Sequence, residues 1–296
     1  MSSFLSKFPF MGKTGIDPSS EATNPSGLSA DEQGEGDRCR LYCPENEQEP
    51  GRHCFGISDR GQVRDLNEDY LLADCGRGLL LLSDGMGGAN AGEVASQQVV
   101  SACYQHLSRE LERGALKPQN AEPCLRQAVE KSHEQIRDMA ARYPDMGGMG
   151  CTLVAAWIHH HTAFICHIGD SRAYLLDREG GLEQLTEDHS VVWNEYRAGR
   201  LTREEARKSP QKNKLTQALG MPGPVAPGFV RVELKAGDRL LLCSDGLWEM
   251  LADIEIAKLL AKDATAATVC GDLVEAASRA GGQDNISVVL WIQEED

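Results

Sequence analysis

The chain has no apolar run approaching the ~20 residues of a membrane span, and its opening, MSSFLSKFPFMGKTG, lacks the continuous apolar core of a secretory signal. Neither membrane insertion nor secretion is expected, and the cytoplasm is the expected compartment. The sequence is also short of cations, with 30 Lys and Arg against 45 Asp and Glu and a formal net charge of -15. A field of that sign repels nucleic acid and anionic membranes, so neither is expected as a partner. It lacks as well the dense, evenly spaced cysteines of a small secreted domain. Its ten cysteines are scattered, several within apolar runs (Cys103, Cys166, Cys243), which suits a reducing compartment. Cys39, Cys43, His53 and Cys54 could be grouped as a zinc site, but their spacing fits no ribbon or finger, and free thiols on a loop are the plainer expectation.

What is present is enough to fold. With 296 residues, 41% of them apolar, the chain can bury a sizeable core. Residues 1–50 are rich in Ser, Gly, Pro, Glu and Asp with little periodicity, the composition of a flexible extension. From residue 51 to 296 the pattern changes to short apolar runs bounded by Gly and Asp, such as HCFGISD, YLLAD and GLLLLSDG. Two longer blocks, Glu93 to Leu111 and Pro123 to Arg142, read as helices. Strands are expected near Thr152 to Ile158, Ala163 to Ile168, Ala173 to Asp177, Phe229 to Leu234, Arg239 to Cys243 and Ile286 to Ile292. Two further helices are expected over Ile254 to Ala261 and Ala264 to Ala280. Strands and helices both come in pairs, so the expected fold is α+β, with antiparallel sheets covered by helical layers. The adjacent His159, His160 and His161 fall in a hairpin turn, where successive side chains diverge instead of converging on one ion.

Acidic residues stand at strand ends and tight turns: Glu68 and Asp69 in RDLNEDY, Asp84 in LLLLSDGMGG, Asp245 in LLCSDGLW and Asp284 in GGQDNIS. One Asp-Gly pair is a common turn. Two, each after a near-identical apolar run, suggest carboxylates held at fixed strand ends, with Gly85 and Gly246 allowing backbone and ligand to come close. Carboxylates crowded together raise one another's pKa unless cations neutralise them. Oxygen ligands without matching His or Cys point to magnesium or manganese instead of zinc. Arg64, four residues before Glu68, could fork onto a phosphate or pair with Asp65 or Glu68 at the surface.

The ordered set VRDLNED, SDGMGG, GCTLVAA, HIGDSRAYLL, LTEDHS, LTQALG, SDGLWE and GGQDNIS resembles the metal-dependent type-2C protein serine/threonine phosphatase family in its compact bacterial form. It runs from about Phe55 to Ile292. The resemblance implies two packed antiparallel sheets flanked by pairs of helices, an α-β-β-α sandwich, with a flap at about residues 190–221. It implies hydrolysis of phosphoserine and phosphothreonine on proteins by a water held between two Mn2+ or Mg2+ ions. Asp84 would bridge both metals, the carbonyl of Gly85 would bind one, and Asp245 and Asp284 would complete the other. Asp69, with Glu68 beside it, would hold metal-bound waters, Arg64 would take the substrate phosphate, and Asp170 would bind a weaker third metal. Phosphoprotein substrates, a cognate serine/threonine kinase and a monomeric state are implied with it.

Two departures from the family pattern stand out. Animal members have a histidine where this chain has Met86, which leaves a metal-bound water as the candidate acid and gives His189 the role of fixing the start of the flap. Glu249 replaces an aspartate near the third metal. Trp193 and Tyr196, in the flap, either pack it or grip a phosphopeptide. Two other readings are an inactive phosphatase-like binding module, which should have lost metal ligands, and a partner-switching phosphatase of an anti-sigma-factor antagonist, which should carry a sensory domain. The chain has neither a Cys-x5-Arg loop nor a histidine-rich metallophosphoesterase pattern.

Overall fold

The apolar runs of this chain are continuous where a half-wet strand would alternate, and the reason is that both faces of each sheet are covered. The computed structural model describes the backbone of residues 38–40 and the whole of residues 51–87 and 91–295. The chain passes through β1 (Arg38–Arg40), β2 (Cys54–Asp59), β3 (Asp69–Asp74) and β4 (Leu79–Met86), then the helices α1 (Ala91–Glu112) and α2 (Ala121–Arg142). It continues through β5 (Gly150–Cys151), β6 (Leu153–His159), β7 (Thr162–Ile168), β8 (Arg172–Leu176) and β9 (Leu182–Gln184). Two short helices, α3 (Val191–Arg197) and α4 (Arg203–Lys208), precede β10 (Gly228–Glu233) and β11 (Arg239–Cys243). Then come α5 (Asp245–Trp248), α6 (Asp253–Leu260), α7 (Ala266–Arg279) and β12 (Ile286–Ile292).

One sheet has the order β1-β2-β12-β11-β8-β9 and the other β10-β7-β6-β4-β3, with β5 beside β4; the pairings are antiparallel. In β4, Leu79 and Leu81 join α1 and α2 in one core, while Leu80 and Leu82 face the other sheet. In β11, Leu241 and Cys243 pack with α6 and α7, and Leu240 and Leu242 point between the sheets. The runs LLLLSDG and LLLCSDG thus feed three cores at once, which is the expected α-β-β-α sandwich. Each fully buried leucine contributes about 1.5–3 kcal/mol, and the two runs end at the carboxylates of Asp84 and Asp245.

Several features differ from expectation. Within the expected flexible extension, Arg38–Arg40 forms β1, antiparallel to β2; the rest of that extension lies outside the described residues. Cys54 is not a free thiol. It forms a disulfide with Cys75 across 21 positions of sequence, joining the start of β2 in one sheet to the end of β3 in the other. His53 pairs with Glu294 at 2.6 Å and Cys43 lies outside the described residues, so the zinc grouping has no support. The three-histidine run does form a hairpin turn: His159 pairs with Thr162, and His160 takes a positive φ of 52°, which histidine tolerates better than β-branched residues do. Among the described residues no helix is long and apolar enough to cross a membrane.

Candidate metal centre

The carboxylates meet because the sandwich points the ends of several strands toward one rim. Asp69 opens β3 and Asp84 nears the end of β4, and the two are directly paired across the strands. From the facing sheet, Asp245 starts α5 immediately after β11, and Asp284 sits in the turn before β12. Asp170 lies between β7 and β8. Like charges placed opposite each other on paired strands destabilise a sheet, so this arrangement has a cost that the fold alone does not explain.

Electrostatics records that cost. Burial, followed by repulsion from Asp69, Asp245 and Asp170, pushes the carboxyl of Asp84 well above its ordinary range. Asp69 is raised well above its usual value in the same way, first by burial, with the nearby hydroxyls of Ser287 and Ser244 opposing the shift, and both of its carboxylate oxygens are buried without a partner at full hydrogen-bond geometry. Burial and then Asp245 raise Asp170. Asp245 is pushed up to about 7 by burial, Asp284 and Glu249, and its Oδ1 is also buried without a partner. Orphaned carboxylate oxygens in a ring of mutually repelling acids are what a hard divalent cation would satisfy, so the donor set fits magnesium or manganese. Among the described residues no three His, Cys, Asp or Glu side chains close into a cage around one point. The acids line a rim instead of enclosing an ion.

The glycines act through backbone approach. A Cβ at Gly85 would lie 2.2 Å from the carbonyl oxygen of Gly92 and 2.5 Å from that of Glu68, and one at Gly246 would lie 2.0 Å from the carbonyl oxygen of Asn285. The neighbours that require glycine here are backbone atoms. At Gly85 this closeness lets the amide donate to the Glu68 carbonyl at 3.1 Å, while Ser96 Oγ donates to the same oxygen at 2.6 Å. Asp84 is fixed by its amide, which donates to Thr152 Oγ1 at 3.0 Å, and Thr152 Oγ1 in turn meets Ser171 Oγ at 2.6 Å.

Arg64 pairs with neither Asp65 nor, closely, Glu68. Its Nη2 donates to Asp284 Oδ2 at 2.6 Å, while Nη1 stands 4.0 Å from Glu68 Oε2. Its side chain is 46% exposed, so the guanidinium sits at the mouth of the site, anchored at one end. Glu68 is raised by burial first, with Arg64 opposing.

Asn285, within the motif GGQDNIS, is a functional residue with no role expected from the sequence. Its Oδ1 accepts from the Glu68 amide at 2.8 Å, and its Nδ2 donates to the carbonyls of Arg60 at 2.9 Å and Leu66 at 2.8 Å. One buried amide thus staples the loop carrying Arg64 and Glu68 to the turn carrying Asp284. Its position directly after Asp284, with a side chain that both donates and accepts, was the available signal. Lys212 was also missed: it pairs with Glu249, four residues after Asp245. His189 accepts the Gly169 amide at Nδ1 (3.2 Å) and stacks on His167. Its backbone bonds Gly169 and Thr216, consistent with fixing the start of the 190–221 segment.

A protein phosphatase 2C family profile matches residues 60–283. Serine/threonine phosphatase stp of Listeria monocytogenes is 36% identical over 241 residues, covering 80% of this chain and 94% of that protein. PstP of Mycobacterium tuberculosis is 42% identical over 233 residues, covering 79% of this chain but only 43% of PstP. A solved structure of the PstP catalytic domain in complex with two manganese ions superposes with a TM-score of 0.72 at 38% identity, covering 82% of this chain and 98% of that one. The strand ends that gather these acids therefore sit in a fold and sequence pattern with a known kinship, and the chain belongs to the protein phosphatase 2C family.

Proposed function

We propose that the chain is a metal-dependent serine/threonine protein phosphatase, with Asp84, Asp245, Asp284 and the Gly85 carbonyl as the ligands of two Mn2+ or Mg2+ ions. The observation that carries this reading is the rim of raised, partly orphaned carboxylates at the convergent strand ends. Two such ions would neutralise those charges, brace the phosphoryl oxygens and make a water acidic enough to attack at neutral pH.

The chain's own residues supply position. Asp69 and Asp84, facing each other across β3 and β4, would orient metal-bound waters and the metals themselves. Arg64, held by Asp284 through one nitrogen, keeps its remaining donors for a phosphate entering from solvent. Asp170, whose carbonyl accepts Trp248 Nε1 at 3.1 Å, is set to hold a weaker third cation beside Asp245. Residues 190–221 act as a flap: the Ser190–Leu215 bridge closes the segment on itself, and the Cys151–Leu219 bridge ties its later end to β5. Phosphorylated proteins, including a cognate kinase and its targets, are the proposed substrates of a cytoplasmic monomer. Retention of every expected metal ligand favours this reading over an inactive binding module.

Purified protein given manganese should hydrolyse p-nitrophenyl phosphate and a phosphothreonine peptide, and chelation by EDTA should abolish both activities. Hydrolysis that persisted after chelation would overturn the proposal.

A further inference from the structure

A cavity of about 310 Å³ lies between the 190–221 segment and the turn that follows Asp245, lined by Trp193, Tyr196, Ala206, Arg207, Arg172 and Trp248 among others. No role assigned so far uses it. Its floor is rigid: the Arg172 guanidinium lies 3.6 Å from the Trp248 ring centroid and forks onto Asp188 at 2.9 and 2.6 Å. The charge of Arg172 is therefore already matched. The same Trp248 donates its indole N–H to the Asp170 carbonyl, so the cavity shares a wall with the metal centre.

Two donors at this cavity are not matched by an anion. Trp193 Nε1 is buried with no hydrogen-bond partner. Arg207 Nη2 donates to the carbonyls of Glu249 at 3.1 Å and Leu251 at 2.6 Å, and among the described residues it pairs with no carboxylate. Packing of Trp193 on Tyr196, with centroids 5.2 Å apart, accounts for the contact between the rings but leaves the indole donor unsatisfied, and buried unsatisfied donors are rare. The lining carries Arg172, Arg203, Arg207 and Lys212 against Asp188, Glu204 and Asp253, and of these cations Arg207 is the one without a carboxylate partner among the described residues. Residues 191–214 carry seven Arg and Lys against three Glu, in a chain of net charge -15.

An aromatic-walled cavity at the small end of the ~300–1,000 Å³ range of ligand sites suits one large side chain better than a cofactor. We propose that it is a specificity subsite for a large apolar side chain of the phosphoprotein, Phe- or Leu-sized, with an adjacent acidic group accepting from Trp193 Nε1 and Arg207. This deepens the phosphatase reading and rests on it.

The test is a series of phosphothreonine peptides in which a Phe-Asp pair is walked from three residues before the phosphothreonine to three after, in an alanine background. At least one register should show kcat/KM about 10-fold above the all-alanine peptide, the scale of one good pocket contact. Trp193→Ala should bring that ratio close to one, Trp193→Phe should keep part of it, and exchanging the peptide's Asp for Asn should lower it. If Trp193→Ala fails to fold, Ala206→Met, which fills the cavity from α4, should remove the preference in the same way. No register above about twofold, or a preference that survives both variants, overturns the subsite. Hydrolysis of p-nitrophenyl phosphate by the unaltered protein separates the two claims: without it the phosphatase reading itself fails, and with it a flat peptide series faults the subsite alone.

Discussion

Asp245→Asn should make the metal-free protein more stable while removing its activity, and the size of the effect can be worked from the site. The carboxyl is pushed from 3.8 to about 7, chiefly by burial and by Asp284. At about 1.4 kcal/mol for each tenfold change in proton affinity, holding it charged costs at most about 4 kcal/mol above neutral pH. Solvent reaches part of the side chain, and screening reduces this to about 2 kcal/mol. The sign follows from proton linkage: a raised folded pKa means the native state binds more protons than the unfolded chain between about pH 4 and 7. Stability of the metal-free protein therefore falls as pH rises through that window, and the deficit is complete above pH 7. Asparagine has nearly the same shape and no charge. Calorimetry of EDTA-treated protein at pH 8 should place the variant's Tm above the unaltered protein's by about 4–8 °C, with the gap narrowing toward pH 5. Manganese should raise the Tm of the unaltered protein and much less that of the variant. A variant less stable than the unaltered protein at pH 8 without metal would show instead that favourable partners hold the Asp245 carboxylate charged.

Three other outcomes are expected. Arg64→Ala should raise KM for phosphopeptides about 10-fold or more with a smaller change in kcat, since the proposed clamp would touch phosphate in ground and transition states alike; an unchanged KM in steady-state assays would count against it. Asn285→Ala should cost about 2–4 kcal/mol in urea unfolding, because three hydrogen bonds are lost and the Glu68 amide and two carbonyls are left without their partner, and activity should fall with it. Non-reducing peptide mapping should recover Cys54 linked to Cys75, and reduction should lower stability by about 3 kcal/mol, the scale for closing a loop of this length.

Much of the fold is legible in the sequence because the apolar runs are short and each ends at a turn signal. The run LLLLSDG states both that a strand is covered on two faces and that its end carries a carboxylate. What cannot be read is which strands face one another. Asp69 and Asp84 oppose each other only through the β3–β4 register, a relation no local pattern carries. The same limit hides the Cys54–Cys75 bond, which crosses between sheets, and the pairing of Lys212 with Glu249, 37 positions apart. Arg64 illustrates a subtler failure. Its local acids, Asp65 and Glu68, are the natural partners by spacing, yet its short bond goes to Asp284, 220 positions away, because Asn285 pulls that turn against the loop. The short strand β9 and the four-residue α5 lack the length for a periodic signal and are set by tertiary contact.

Metal stoichiometry decides whether these carboxylates hold two catalytic cations. Isothermal titration of EDTA-stripped protein with manganese should give two tight sites per chain, and Asp84→Asn, which removes the residue placed between both ions, should lose at least one of them along with phosphopeptide hydrolysis. Two intact sites and near-normal turnover in Asp84→Asn would contradict the account.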